Sequence, residues 1–116
     1  MSARILVADD DDMVRGLMRV ILGGAGYLIE EAVDGAEAVR KCLAGRYDLL
    51  LMDHNMPQMS GWEACAEIKR QNPAMKVLIL SGGVHEPPSS GAGVRFLSKP
   101  FDNRQLVTVV GELLRG

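Results

Sequence analysis

Apolar residues in this chain gather in short unbroken runs, separated by stretches where they recur every three or four positions, and the two patterns alternate from end to end. Residues 4–8 (Arg-Ile-Leu-Val-Ala) and 48–53 (Asp-Leu-Leu-Leu-Met-Asp) are runs of strand length, as expected of strands buried on both faces of a parallel sheet. Residues 76–81 and 94–98 read as a fourth and a fifth strand. Residues 27–33, interrupted by Glu30 and Glu31, suit a sheet edge.

The helical stretches carry their own start and stop signals. After the first strand, Val14, Leu17, Met18, Ile21 and Leu22 recur at helical spacing until Gly23-Gly24-Ala25-Gly26, with Asp11 or Asp12 as the N-cap. Asp34 with Glu37 predicts a capping box for a second helix, on whose face Ala36, Val39 and Leu43 continue until Gly45. Ser60 with Glu63 repeats that signature, placing Cys65 and Ile68 inward before Asn72-Pro73 ends the third helix. Asp102 caps a last helix with Gln105 three residues on, and Leu106, Val109, Val110, Leu113 and Leu114 form its apolar stripe. Residues 82–93 have no helical period, because Pro87-Pro88 and the glycines forbid one. An irregular loop, or at most one helical turn, is expected there in place of a helix.

This order of elements requires a parallel sheet with crossovers on both faces, an α/β architecture in one domain over residues 1–116. At 12.6 kDa, with 47% hydrophobic residues and five aromatics, the core is aliphatic and rich in methionine. A net charge of −2 offers no basic face for nucleic acid. Cys42 and Cys65 fall in helical patterns without metal-ligand spacing, so they read as reduced core thiols and point to a cytoplasmic setting. No apolar run reaches the length of a membrane span, and residues 1–4 lack the character of a signal peptide.

Ligands bind to such sheets outside the carboxyl ends of the strands. Asp9 and Asp10, Asp53, Ser81 and Lys99 stand at or just past those ends on four different predicted strands. Clustered carboxylates repel one another unless a cation compensates, and oxygen ligands with spare water positions favour Mg²⁺ over zinc or copper. Lys99 and Ser81 suit an anionic tetrahedral group beside that metal. Asp53 is then the candidate nucleophile for a phosphoryl group, with metal and lysine neutralising the developing charge.

Four co-linear motifs carry a resemblance: Ile-Leu-Val-Ala-Asp9-Asp10, Asp53-His-Asn-Met-Pro with Ser-Gly behind it, Leu-Ile-Leu-Ser81-Gly, and Phe96-Leu-Ser-Lys99-Pro100-Phe101. Over essentially its whole length the chain resembles the response regulator receiver domains of two-component signalling. The resemblance implies a flavodoxin-like, doubly wound, five-stranded sheet of strand order 2-1-3-4-5, and Mg²⁺-dependent phosphorylation of Asp53 by a histidine kinase or histidine phosphotransfer protein. It makes Asp10 a direct Mg²⁺ ligand, Asp9 a ligand acting mainly through water, and Asn55 the donor of a backbone carbonyl. Ser81 would bond a phosphoryl oxygen, Lys99 would pair with it, the Lys99–Pro100 bond would be cis, and Phe96 would occupy the aromatic switch position. From Ser81 to Lys99 is 99 − 81 = 18 positions, fewer than the family usually has, and the loss falls where its fourth helix would be. That leaves output through the family's usual signalling face open. It also resembles receivers at the ends of hybrid histidine kinases, so the domain is expected either to stand alone or to be such a terminal receiver, with no output domain of its own.

Blander roles stand beside these. The acidic run caps a helix, with Asp11 and Asp12 as cap and surface; Ser81 could bond only neighbouring backbone; Phe96 could be plain edge packing; Trp62 would anchor the third helix; His54 and His85 read as outward-facing or exposed. Two further functions compete with a phosphoryl-accepting switch. One is a non-switching interaction module of receiver shape, which the retained acids, serine and lysine oppose. The other is an aspartyl phosphatase of the haloacid dehalogenase type, which needs a second acid where this chain has Asn55. A flavin site fails because the loop after the first strand is acidic. The expectation is therefore not an enzyme but a phosphoacceptor assisting its own phosphorylation and dephosphorylation, monomeric or dimerising on phosphorylation, and contacting neither nucleic acid nor membrane directly.

Overall fold

The computed structural model describes residues 2–82 and 93–115. Its elements in chain order are β1 (Arg4–Ala8), α1 (Asp12–Gly24), β2 (Leu28–Ala32), α2 (Gly35–Ala44), β3 (Leu49–Asp53), α3 (Gly61–Gln71), β4 (Val77–Ser81), β5 (Val94–Ser98) and α4 (Asn103–Arg115). All strand pairs are parallel and the order is β2-β1-β3-β4-β5, as the sequence predicts. The loop predicted at 82–93, with His85 in it, lies outside the described residues except for its two end glycines.

The sheet is central because its inner strands are apolar on both faces: every residue of β3 and β4 is buried. Alternation along the strands sorts the core into two layers. Ile5, Val7, Leu49, Leu51, Leu78 and Leu80 meet Met18 and Leu22 of α1 and Leu106 and Val110 of α4. Leu6, Ala8, Leu50, Met52, Val77 and Ile79 meet Ala38 and Cys42 of α2 and Ala64, Cys65 and Ile68 of α3. The thiols are free and buried in the second layer, and burial raises both, that of Cys42 to about 12, which disfavours the reactive thiolate. Among the described residues, no helix is long and apolar enough to cross a membrane.

The caps follow the sequence closely. Asp11 caps α1, its Oδ1 accepting the Met13 N–H at 2.9 Å. Ser60 and Glu63 form a full reciprocal box, and Asp102 and Gln105 exchange bonds of 2.7 and 2.9 Å before α4. At α2, Asp34 takes the Glu37 N–H at 2.8 Å, but Glu37 Oε1 reaches back to the Val33 N–H rather than to the cap itself.

Two helix faces differ from their sequence pattern. On α2 the buried side is Gly35, Ala38 and Cys42, whereas Ala36 and Leu43 are exposed. At Gly35 a Cβ would already stand 3.1 Å from the Met59 carbonyl oxygen, so that position leaves no room for a side chain. On α1, Leu17 is exposed and Arg15 is buried. A charged side chain takes an inward position there because its donors find partners, which apolar periodicity cannot reveal.

Candidate functional site

The register of the sheet fixes the site. β1 pairs with β3 as Ala8↔Met52, so one further step brings Asp9 alongside Asp53, on the face shared by Val7 and Leu51. The strand order reverses between β1 and β3, the place where open α/β sheets bind ligands. Asp9 is 3% and Asp53 8% exposed. Two carboxylates thus lie side by side at the mouth of the central strands.

Each is held from several directions. Asp9 donates its N–H to the Ala32 carbonyl at 3.1 Å, and its Oδ1 accepts the Asp11 N–H at 2.9 Å. Asp53 Oδ1 accepts the Asn55 N–H at 3.2 Å, and Oδ2 accepts from Lys99 Nζ at 3.0 Å. Lys99 follows β5, where its N–H bonds the Ser81 carbonyl at 2.8 Å and the Lys99–Pro100 peptide is cis. Ser81 ends β4, 4% exposed, with Leu80 of its strand level with Asp53. By alternation Ser81 falls on the same face as Ile79, against which Phe96 packs from β5.

The backbone behind Asp53 is closely braced. His54 donates its N–H to Leu80 and accepts that of Gly61 on its carbonyl at 2.9 Å. A Cβ at Gly61 would lie 2.9 Å from both the Asp53 carbonyl oxygen and His54 Cα, so the start of α3 rests directly on the strand end. Trp62 lies between His54 and Phe96, with ring centroids at 5.3 and 4.5 Å. It therefore does more than anchor α3: it joins the residue after Asp53 to the edge strand.

Burial, as the main cause, pushes the Asp9 carboxyl up from 3.8 to about 6; the Asp11 N–H opposes this, the charge of Asp53 adds to it, and Lys99 offsets part. Two buried carboxylates share one nearby ammonium. With Arg15 engaged by Asp12, Glu31 and the Asp9 carbonyl, that charge balance is one a hard divalent cation would improve. Asp10, next in the chain, is exposed. Among the described residues no three acidic, histidine or cysteine side chains already form a metal cage. Asp9 and Asp53, with Asp10 exposed beside them, are oxygen donors of the kind that suits a hard ion keeping much of its water. A groove of about 560 Å³ lies elsewhere, lined by Ala3, Tyr47, Asp48, Met75 and Lys76 at the opposite end of the strands.

Arg15 is the residue that periodicity misses. Its guanidinium donates from NH1 to the Asp9 carbonyl at 2.6 Å and from Nε to Glu31 at 3.1 Å, and it also pairs with Asp12. The available signal was one of the two arginines of α1, in helical register with Met18 and Leu22 and five positions after Asp10.

Comparison with known proteins bears on the family and the fold. The profile of the response regulator receiver domain matches residues 5–111. The transcriptional regulatory protein ResD of Bacillus subtilis is 36% identical over 98% of this chain and 49% of its own length. The response regulator MprA of Mycobacterium ulcerans is 37% identical over 99% of this chain and 51% of its own. The chain therefore spans about half the length of these bacterial relatives. Among solved structures, the response regulator TrrA of Thermotoga maritima in complex with Mg²⁺-BeF superposes with a TM-score of 0.87 at 33% identity, covering 97% of this chain and 99% of that one. A CheY-like receiver domain protein of Methanospirillum hungatei gives 0.90 at 28%, covering 99% and 95%.

Proposed function

The chain belongs to the response regulator receiver domain family, and from that premise we propose that it is a phosphoryl-accepting switch whose acceptor is Asp53 and whose donor is a histidine kinase or histidine phosphotransfer protein. One observation carries this reading: the Asp53 carboxylate ends a fully buried central strand, paired with Lys99 at 3.0 Å and flanked in register by Asp9.

A carboxylate oxygen of Asp53 attacks the phosphorus of a phosphohistidine, and an O–P bond forms as the N–P bond breaks. The electron pair of the broken bond stays on the imidazole, which takes up a proton. Asp9, Asp10, Asp53 and the Asn55 carbonyl would hold Mg²⁺, which when bound neutralises charge on the acids and on the incoming phosphoryl oxygens. Lys99 already meets Asp53 Oδ2, and its half-exposed stem lets the ammonium follow charge onto the new phosphoryl group. Ser81 offers a hydroxyl to a phosphoryl oxygen. A shift there is passed to Phe96 on the neighbouring strand, biasing two conformations.

An aspartyl phosphatase of the haloacid dehalogenase type needs a second acid two residues after the nucleophile, and Asn55 in that place favours a phosphoacceptor over a phosphatase. The acidic site offers no basic face to nucleic acid, and direct contact with it is not part of this reading. A cytoplasmic setting and a monomer, or a dimer formed on phosphorylation, accompany this reading. A non-switching interaction module is the competing account, and it requires partner binding that is indifferent to phosphorylation. The test is incubation with acetyl phosphate, with and without Mg²⁺, followed by intact mass. One added phosphoryl group that needs Mg²⁺ and is absent from Asp53→Asn supports the proposal, whereas undiminished labelling of that variant contradicts it.

A further inference from the structure

Arg15 is a buried cation that the chemistry above does not use. It is 7% exposed, and burying a guanidinium is costly unless its donors are met. They are met by Asp12 on its own helix, by Glu31 of β2, and by the Asp9 carbonyl at 2.6 Å. Glu31 is itself tied down by Arg19 at 2.7 Å, and its carbonyl accepts Lys41 Nζ at 2.7 Å from α2. The guanidinium therefore stands on a fixed base.

Its grip on the Asp9 carbonyl is the informative contact. That carbonyl belongs to the peptide joining Asp9 to Asp10, so its direction sets where both carboxylates leave the chain. The Asp9 N–H is fixed to Ala32 and its side chain accepts from Asp11, and the Arg15 bond is the further tie that holds the Asp9 carbonyl itself. We propose that Arg15 is a positioning residue which, by holding the peptide between Asp9 and Asp10, preorganises the acid pair for a divalent cation without touching it. The inference rests on the Mg²⁺-dependent reading of the same site.

The idea makes a prediction opposite in sign to simple electrostatics. Removing a cation from beside two carboxylates deepens the negative potential and, by charge alone, tightens Mg²⁺ binding. Releasing the peptide loosens the donors and weakens binding; lost outer-shell partners typically cost 10–100-fold in metal affinity.

The experiment measures Mg²⁺ affinity by calorimetry, and thermal stability without Mg²⁺, for wild type, Arg15→Met, Arg15→Lys and Glu31→Gln. Arg15→Met should weaken Mg²⁺ roughly tenfold, the low end of that range. Arg15→Lys, whose single ammonium cannot serve both carbonyl and carboxylate, should fall between it and wild type. Glu31→Gln keeps an acceptor for Arg15 and should lose stability while holding Mg²⁺ within about twofold of wild type, a split that a merely structural role would not produce. Labelling by acetyl phosphate should slow in the Arg15 variants at low Mg²⁺ and recover at saturating Mg²⁺. Unchanged or tighter Mg²⁺ binding by Arg15→Lys, or by Arg15→Met if it folds, overturns the inference alone. Wild type that binds no Mg²⁺ overturns the reading beneath it as well.

Discussion

Lys99 Nζ lies 3.0 Å from Asp53 Oδ2, an ion pair between residues 46 positions apart that ties the loop after β5 to the end of β3. Asp53 is buried and Lys99 half exposed, so one partner is fixed and the other can move.

Replacing Lys99 with Ala should therefore affect chemistry more than stability. Loss of a partly exposed pair costs at most about 1 kcal/mol, whereas removing a donor that meets developing charge costs roughly a hundredfold in rate. Labelling by acetyl phosphate together with a thermal melt separates the two. A melting point that collapses with the rate would assign Lys99 to the fold instead.

Asp9 sets a pH dependence. Because burial raises its pKa from 3.8 to about 6, the folded chain holds this proton more tightly than the unfolded one. The stabilisation is complete below about pH 4 and is lost as pH rises through about 6. In Mg²⁺-free buffer, Asp9→Asn should be more stable than wild type at pH 7.5, by roughly 1–2 kcal/mol after allowing for solvent screening. The gap should shrink towards pH 4, and Mg²⁺ should stabilise wild type but not the variant. Parallel melting curves from pH 4 to pH 8 would contradict the assignment.

Much of this was legible in the chain itself. The unbroken apolar runs fix the strands and the side-chain caps fix the helix starts, and strand ends place Asp9, Asp53, Ser81 and Lys99 on one edge before any coordinates are seen. Tertiary matching was not legible. Ala36 and Leu43 continue an apolar stripe on α2, yet the buried face is Gly35, Ala38 and Cys42, with Met59 close against Gly35. Arg15 breaks the stripe of α1 and is nonetheless buried, because its partners come from β1 and β2, segments that local spacing cannot bring together. Likewise the contact of Trp62 with both His54 and Phe96 joins three elements and leaves no mark on any one of them.

Gly61 is predicted to be intolerant of a single methyl group. A Cβ there meets backbone atoms of Asp53 and His54 at 2.9 Å, which cannot rotate away as a flexible side chain would. Gly61→Ala should cost about 1–3 kcal/mol and slow labelling by shifting the Asn55 carbonyl. Denaturant melts and the acetyl phosphate rate check both, and an unperturbed variant would show that the α3 start can retreat freely.

Trp62 is the sole tryptophan, so its emission reads the contact with Phe96 at 4.5 Å directly. Phe96→Ala should shift emission to the red as water replaces the ring. Mg²⁺ with beryllofluoride should change emission in wild type, and the change should be lost in Asp53→Asn. Emission indifferent to beryllofluoride would separate Phe96 from the acid site.

The central claim, that Asp53 carries the phosphoryl group, is tested most directly by reductive trapping. Borohydride converts an aspartyl phosphate to homoserine, so sequencing the peptides of acetyl phosphate-treated chain locates the acceptor. The account predicts homoserine at position 53 alone, and only when Mg²⁺ was present. Homoserine at position 9 or 10, or a stable phosphate on His54 with residue 53 unmodified, would contradict it.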